Sequence, residues 1–204
     1  PLPNIDFNIL PGNSLVGLMR VDAHEFDRKQ DDLFKTPFRR LLEEKNRKLD
    51  VYRHSAQLFG QGADLRALRD DIDAEMRHAN GILNELLRDQ FEALGVKYEQ
   101  ATWDAGKQAL GKPKKRRIER ADIDAEQPFH WGYVFDEIMQ KRGGFDIILT
   151  NPPWEVFKPQ AKEFFADHSD LVTKNRMSIK EFEKEQGKLL KDKAVRDAWL
   201  AYES

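Results

Sequence analysis

Residues 151–154 read Asn-Pro-Pro-Trp and carry groups that could do chemistry together. The Asn151 amide offers a carbonyl acceptor and two N–H donors. Pro152 keeps its backbone carbonyl as a second acceptor. Pro152 and Pro153 fix two φ angles and remove two backbone donors. Each also drives the residue before it toward an extended conformation. The result is a stiff corner, with Trp154 supplying a flat face at its end. Two aimed acceptors beside a stacking platform match a nucleobase with an exocyclic amine. The acceptors take both N–H groups, the nitrogen lone pair turns out of the ring plane, and the indole clamps the base. An amine held this way attacks without needing a strong base. A base in a duplex must be flipped out to reach such a pocket. Taken alone, an Asn-Pro-Pro run reads first as an ordinary chain reversal; the apolar run before it and the aromatic residue after it shift the balance.

A second group is cationic. Lys112, Lys114, Lys115, Arg116 and Arg117 fall within six positions, spaced by Pro113. A run of one sign in a chain of net charge −2 suits contact with nucleic-acid phosphates, and it also suits a solvated loop or arm. Metal chemistry has little support. Cysteine is absent, and His24, His54, His78, His130 and His168 show no paired ligand spacing.

The elements that position these groups follow from periodicity. Ile5, Phe7 and Ile9 alternate with polar residues, which predicts a strand over 4–10 ended by Pro11-Gly12-Asn13-Ser14. From about Asp22 the period lengthens. Thr36-Pro37 offers a helix start, and Phe38, Leu42, Leu49, Tyr52, Ala56 and Phe59 form a stripe broken by Lys45. After Gly60-Gln61-Gly62, Leu65, Leu68, Ile72, Met76, Ala79, Leu83 and Leu86 form a second stripe that runs to about Leu94 and stops at Gly95. Two long amphipathic helices joined by a short turn make an antiparallel hairpin. Residues 97–110 look weakly helical. Phe129 to Lys141 is an aromatic-rich loop entering a short helix, ended by Gly143-Gly144. Phe145 to Leu149 predicts a strand buried on both faces. Asn151 then lies beyond the carboxyl end of a central strand, where open α/β sheets bind ligands. Past Lys158 the chain is helix-forming, with a capping box at Ser178 and Glu181.

The bulk numbers fit this outline. Charged residues are 34% and hydrophobic residues 40%, which indicates long solvated helix faces over a real core rather than disorder. No apolar run approaches the ~20 residues of a membrane span, so no membrane partner is expected. The lack of cysteine fits a cytoplasmic location. The chain opens at Pro1 directly into a strand-like run, as a piece of a longer protein would.

The run FDIILTNPPW resembles the catalytic motif of amino-group DNA methyltransferases, a strand followed by Asn-Pro-Pro-aromatic. The Asn form points to adenine N6. LPNIDFNILPGNSLVG and FHWGYVFDEIMQKRGGFDIILTNPPWE resemble, more narrowly, the large type IIG and phage-defence restriction-modification enzymes. The likeness covers residues 1–18 and 126–157. It implies an α/β fragment of a Rossmann-like methyltransferase, mainly helical by residue count, with a large helical-hairpin insertion. The implied parts are a core strand and loop at 1–20, a helical insertion with its basic arm at 21–125, the core with its Asn-Pro-Pro-Trp motif at 126–160, and a helical tail at 161–204. It also implies that Asn151 and the Pro152 carbonyl hold the amine, that Pro153 stiffens the corner, and that Trp154 stacks on the base. Asn13 would contact the adenine moiety of S-adenosylmethionine. Double-stranded DNA is the implied partner, with a fused or associated nuclease alongside. The family's glycine-rich cofactor loop has no counterpart in this sequence, so most of the cofactor site is expected outside it. The competing expectation is a helical module that binds nucleic acid or a partner protein without catalysis.

Overall fold

The apolar stripe starting at Phe38 folds as expected, into a 22-residue helix (α2, Phe38–Phe59). It packs antiparallel to a 31-residue helix (α3, Ala63–Ala93). A short helix (α1, Ala23–Lys29) precedes them and leans on both. The structure is a computed structural model of the 204-residue chain and describes residues 6–30, 35–59, 63–151, 161–169 and 178–204.

The chain divides into two compact units. The first comprises residues 1–96 and 118–148. Its core is built on the stripe positions Phe38, Leu42, Ala79, Leu83 and Leu86, joined by Phe26, Leu18, Ile123 and Tyr133. Fully burying each such leucine or phenylalanine contributes roughly 1.5–3 kcal/mol. A smaller cluster of Tyr52, Leu65 and Ile72 closes the hairpin toward its turn. The start of α2 differs from the sequence expectation in one detail. Its first amide, on Phe38, is capped by Asp27 Oδ1 of α1 at 2.7 Å. Thr36 contributes its carbonyl instead, accepting from Gln30 Nε2 at 2.9 Å. Past the end of α3, Gly95 adopts φ +73° and lets its amide turn back to Glu92. A further short helix (α4, Arg120–Ala125) lies on α3. Two more follow, α5 (Trp131–Val134) and α6 (Asp136–Lys141).

The second unit comprises residues 97–117 and 149–204. Residues 97–110 are not helical. Tyr98–Gln100 (β1) pairs antiparallel with Lys114–Arg116 (β4), and Trp103–Asp104 (β2) with Ala109–Leu110 (β3). Together they make one long two-stranded hairpin. Tyr98, Thr102 and Trp103 favour pleated surfaces, and Asp104 nucleates the tip by accepting from the Gly106 and Lys107 amides at 2.9 and 3.1 Å. Among the described residues this unit also holds helices α7 (Ala161–Ala166), α8 (Ile179–Leu189) and α9 (Lys193–Glu203). Phe165, Phe182, Leu190 and Trp199 form its core, with Trp103 of the hairpin packed against them. The Ser178–Glu181 capping box forms as expected, with Ser178 N–H donating to Glu181 Oε2 at 2.8 Å.

Two predicted strands do not form among the described residues; of the first, residues 4 and 5 lie outside them. Described residues 6–8 make a turn, with Phe7 at φ +60°. Residues 145–149 are irregular, and Ile147, Ile148 and Leu149 stand exposed. A strand is defined by the neighbour that satisfies its backbone groups. Among the described residues no second extended segment runs beside either stretch. The structure is therefore mainly helical with two small two-stranded sheets, and no parallel sheet is present among the described residues.

Candidate functional site

The loop 12–18 and the segment 127–132 lie far apart in sequence, with α1 to α4 between them, yet their backbones lock together. Asn13 N–H donates to the Gln127 carbonyl at 2.8 Å, Phe129 N–H to the Val16 carbonyl at 2.8 Å, and Gly132 N–H to the Leu18 carbonyl at 3.0 Å. A parallel bridge joins Asn13 and Pro128. Glycine makes this approach possible. A Cβ at Gly17, whose φ is +150°, would lie 2.1 Å from the Phe129 carbonyl oxygen. One at Gly132 would lie 2.8 Å from the Met19 carbonyl oxygen. The two segments singled out in sequence are thus one structural feature.

Side chains around this seam form an aromatic wall. Trp131 lies 5.0 Å from Phe129 and 5.7 Å from Phe135 between ring centroids, and Phe145 packs edge-on to Phe135 at 5.1 Å. Trp131 Nε1 donates to the Ser14 carbonyl at 3.1 Å, which fixes the indole to the loop. These rings line a cavity of about 350 Å³ together with Gly12, Ser14, Ile147 and Ile148. A flat heterocycle fits a cavity of that volume and lining.

Asn13 is at the edge of this feature, and its side chain is engaged. Its Oδ1 accepts from the Leu15 amide at 3.1 Å, closing a local turn. Its Nδ2 donates to Glu126 Oε2 at 3.3 Å. What Asn13 does in this conformation is set the loop's shape. Asn151 is exposed and lies in irregular chain three residues past Ile148 in sequence. Pro152, Pro153 and Trp154 lie outside the described residues.

Behind the seam is a buried polar network that sequence reasoning missed. His130 is 1% exposed. Its Nδ1 accepts from the Leu18 amide at 3.2 Å, and its Nε2 meets Asn84 Oδ1 of α3 at 2.7 Å. Asn84 Nδ2 donates to Asp124 Oδ1 at 2.6 Å, and Arg120 Nε donates to the same oxygen at 2.7 Å. Burial pushes the His130 pKa down to about 4. The second group is Lys45, also 1% exposed. Its ammonium bonds Asp136 Oδ1 at 2.6 Å and the Tyr133 carbonyl. Asn46 Nδ2 bonds the other Asp136 oxygen at 3.0 Å. Lys45 therefore does not simply break the α2 stripe. It carries that stripe's one charged group into the core to meet Asp136. A lysine three residues after Leu42 and four before Leu49 was the only sequence sign of this.

In the second unit, the basic run is not a loop. Lys114, Lys115 and Arg116 form β4, while Lys112 and Arg117 flank it. Its alternate residues had suggested no strand because all five positions are cationic, and a charged run carries no hydrophobic period. Among the described residues no cluster of His, Asp and Glu could hold a metal ion, and no helix is long and apolar enough to cross a membrane.

Comparison with known families places this geometry. The family model described as Eco57I restriction-modification methylase matches residues 73–194. The chain belongs to that family of restriction-modification methylases. The match begins within α3, takes in the 127–132 half of the seam and Asn151, and ends among the helices of the second unit. No curated protein and no solved structure matches the chain.

Proposed function

We infer that this chain is part of a DNA methyltransferase of a restriction-modification or phage-exclusion system, one that methylates adenine at N6 using S-adenosylmethionine. The observation that carries the reading is the seam. The loop at Gly12–Ser14 and the aromatic segment at Phe129–Trp131 line one cavity together with Ile147 and Ile148, and Asn151 follows Ile148 by three residues in sequence. Membership of a methylase family supports the reaction class, and the Asn-Pro-Pro-Trp run supports an exocyclic amine as the target. A Rossmann-like core fits both, completed by strands that would pair with residues 145–149.

In this mechanism the Asn151 amide oxygen and the Pro152 carbonyl accept the two N–H groups of an extruded adenine. Pro153 holds the corner rigid, and Trp154 stacks on the ring. With both hydrogens held, the N6 lone pair would stand out of the ring plane. Bound S-adenosylmethionine would supply the electrophilic methyl group for that nitrogen. The aromatic cavity beside Gly12 and Ser14 fits the cofactor's adenine moiety, with Asn13 shaping the loop that closes over it. The glycine-rich part of such a site has no residues in this sequence, so the activity is assigned to the intact protein, with or without an attached nuclease.

The test is transfer of labelled methyl from S-adenosylmethionine to duplex DNA by the intact protein, followed by nucleoside analysis. N6-methyladenine is the expected product. N4-methylcytosine would overturn the adenine assignment, and no methylated base on any DNA would overturn the methyltransferase reading.

A further inference from the structure

Charge in this protein is segregated onto the 97–117 hairpin. Between Lys97 and Arg117 seven Lys and Arg residues face only Glu99 and Asp104, in a chain of net charge −2. Asp104 uses Oδ1 to hold the tip amides. The remainder of the chain is correspondingly acidic. A segregation this strong, on one small rigid element, points to a polyanionic partner.

The register of the hairpin sorts the cations by role. Tyr98 pairs with Arg116, Glu99 with Lys115 and Gln100 with Lys114. Side chains alternate between faces along each strand. Lys115 meets its cross-strand partner Glu99 at 2.8 Å. The Arg116 guanidinium lies over the Tyr98 ring, 4.3 Å from its centroid. Both contacts brace the hairpin. Lys114 instead faces neutral Gln100. Lys112 anchors the chain through its carbonyl, which accepts from the Thr102 hydroxyl at 2.9 Å, and its side chain is exposed. Neither Lys112 nor Lys114 has an ion pair among the described residues. Lys114 opens β4 and Lys112 precedes it by two residues, and both side chains are exposed.

We propose that this hairpin is a docking surface for the phosphate backbone of duplex DNA, gripped by Lys112 and Lys114, with Lys115 and Arg116 serving as internal braces. The surface grips without reading sequence, because two ammonium groups on phosphates carry no base information. Duplex DNA as the polyanion rests on the proposed function, while the geometry of the grip does not. Each phosphate neutralised steepens the dependence of log K on log salt by about 0.9.

The experiment is binding of the chain to a fluorescently labelled duplex of arbitrary sequence, followed by anisotropy across a salt series. The wild-type chain should bind with a salt-dependent affinity. Lys112→Ala with Lys114→Ala should flatten the slope by about 1.8, equally on unrelated duplexes. Glu99→Ala with Lys115→Ala, which removes one charge of each sign, should leave the slope unchanged. Circular dichroism of each variant establishes that the fold is retained. No salt-dependent binding by wild type, an unchanged slope in the Lys112/Lys114 variant, or an equal loss in the Glu99/Lys115 variant overturns the proposal. So does displacement of the DNA by polyglutamate at matched charge, which would mark an acidic protein as the partner. Methylation by the intact protein is read separately. A flattened slope without methyl transfer sinks only the proposed function, and methyl transfer with an unchanged slope sinks only the grip.

Discussion

His130 donates its Nε2–H to the Asn84 side-chain oxygen across 2.7 Å. The direction follows from the other ring nitrogen, which accepts from the Leu18 amide and so carries no proton. Asn84 belongs to α3, and Leu18 belongs to the loop beside the aromatic cavity. One neutral imidazole therefore ties α3 to the seam. Asp124, Arg120 and Glu85 extend the network outward from Asn84 along α3 and α4. Helix α3 thus helps to fix the shape of that loop.

Acidification should release this tie. In the folded protein burial lowers the His130 pKa from 6.5 to about 4. The unfolded chain thus binds a proton that the native state refuses between those two values, and stability falls as pH falls through that window. The contribution is complete above about pH 6.5 and amounts to about 3 kcal/mol when fully lost. Burial alone would raise the Asp124 carboxyl, but hydrogen bonds from Arg120 and Asn84 outweigh it and hold the group below its ordinary value. Asp124 therefore titrates below the histidine window. Urea midpoints measured from pH 7 to 4.5 should drop for the wild type. They should drop much less for His130→Asn, which starts lower. Parallel pH profiles for the two would show that His130 is not the titrating group.

The Lys45–Asp136 pair should behave as a buried unit. Burial lowers the Lys45 pKa, and the Asp136 contact only partly opposes this. Removing one partner strands the other charge inside the core, at a cost of about 3–5 kcal/mol. Lys45→Met and Asp136→Asn should each destabilise heavily. The double variant should be much less destabilised than the sum of the two, since no charge is left unpaired. Chemical denaturation of all four proteins checks this. Additive effects would mean that the pair contributes only through packing.

Tyr133 offers a change in the opposite direction. Its hydroxyl is buried without a hydrogen-bond partner among the described residues, and burial drives its pKa upward. Tyr133→Phe removes the unsatisfied group and keeps the ring that lies 4.7 Å from the Lys45 ammonium. It should be neutral or stabilising by up to about 1 kcal/mol. A clear loss of stability would show that the hydroxyl has a partner, such as an ordered water.

The long helices were legible because their information is local. A stripe such as Leu65, Leu68, Ile72, Met76 specifies a helix wherever it packs, and Gly95 marks the end by its left-handed conformation. The strands were not legible for the opposite reason. Phe145–Leu149 has the composition of a buried strand, but composition cannot supply the neighbour that would make it one. The 97–110 stretch was misread because Gln100, Ala101, Ala105 and Gln108 suit a helix, while pairing with 109–116 decides for the hairpin. Of the site, Gly12–Ser14 and Phe129–Trp131 were both noticed, yet nothing in sequence showed that they touch. Lys45 and His130 were invisible as partners because Asp136 and Asn84 lie 91 and 46 residues away.

Asn151 provides the sharpest test of the proposed chemistry. In that reading its amide oxygen is one of two acceptors that orient the reacting amine, a contact that strengthens as the nitrogen becomes cationic in the transition state. Losing one such positioned group commonly costs ~10²-fold or more in rate. Asn151→Ala in the intact protein should therefore reduce methyl transfer by at least that factor, and the salt slope of DNA binding should stay as in wild type, because Asn151 neutralises no phosphate. Trp154→Ala should weaken capture of the extruded base by about 1–3 kcal/mol, and Trp154→Phe should retain most of it, since both rings stack. The measurements are labelled methyl transfer and the fluorescence of 2-aminopurine at the target position, which rises when the base leaves the stack. If Asn151→Ala methylates at the wild-type rate, the corner is a chain reversal and the amine is held elsewhere. If it loses DNA binding and methyl transfer in parallel, Asn151 acts in folding or docking rather than on the reacting nitrogen.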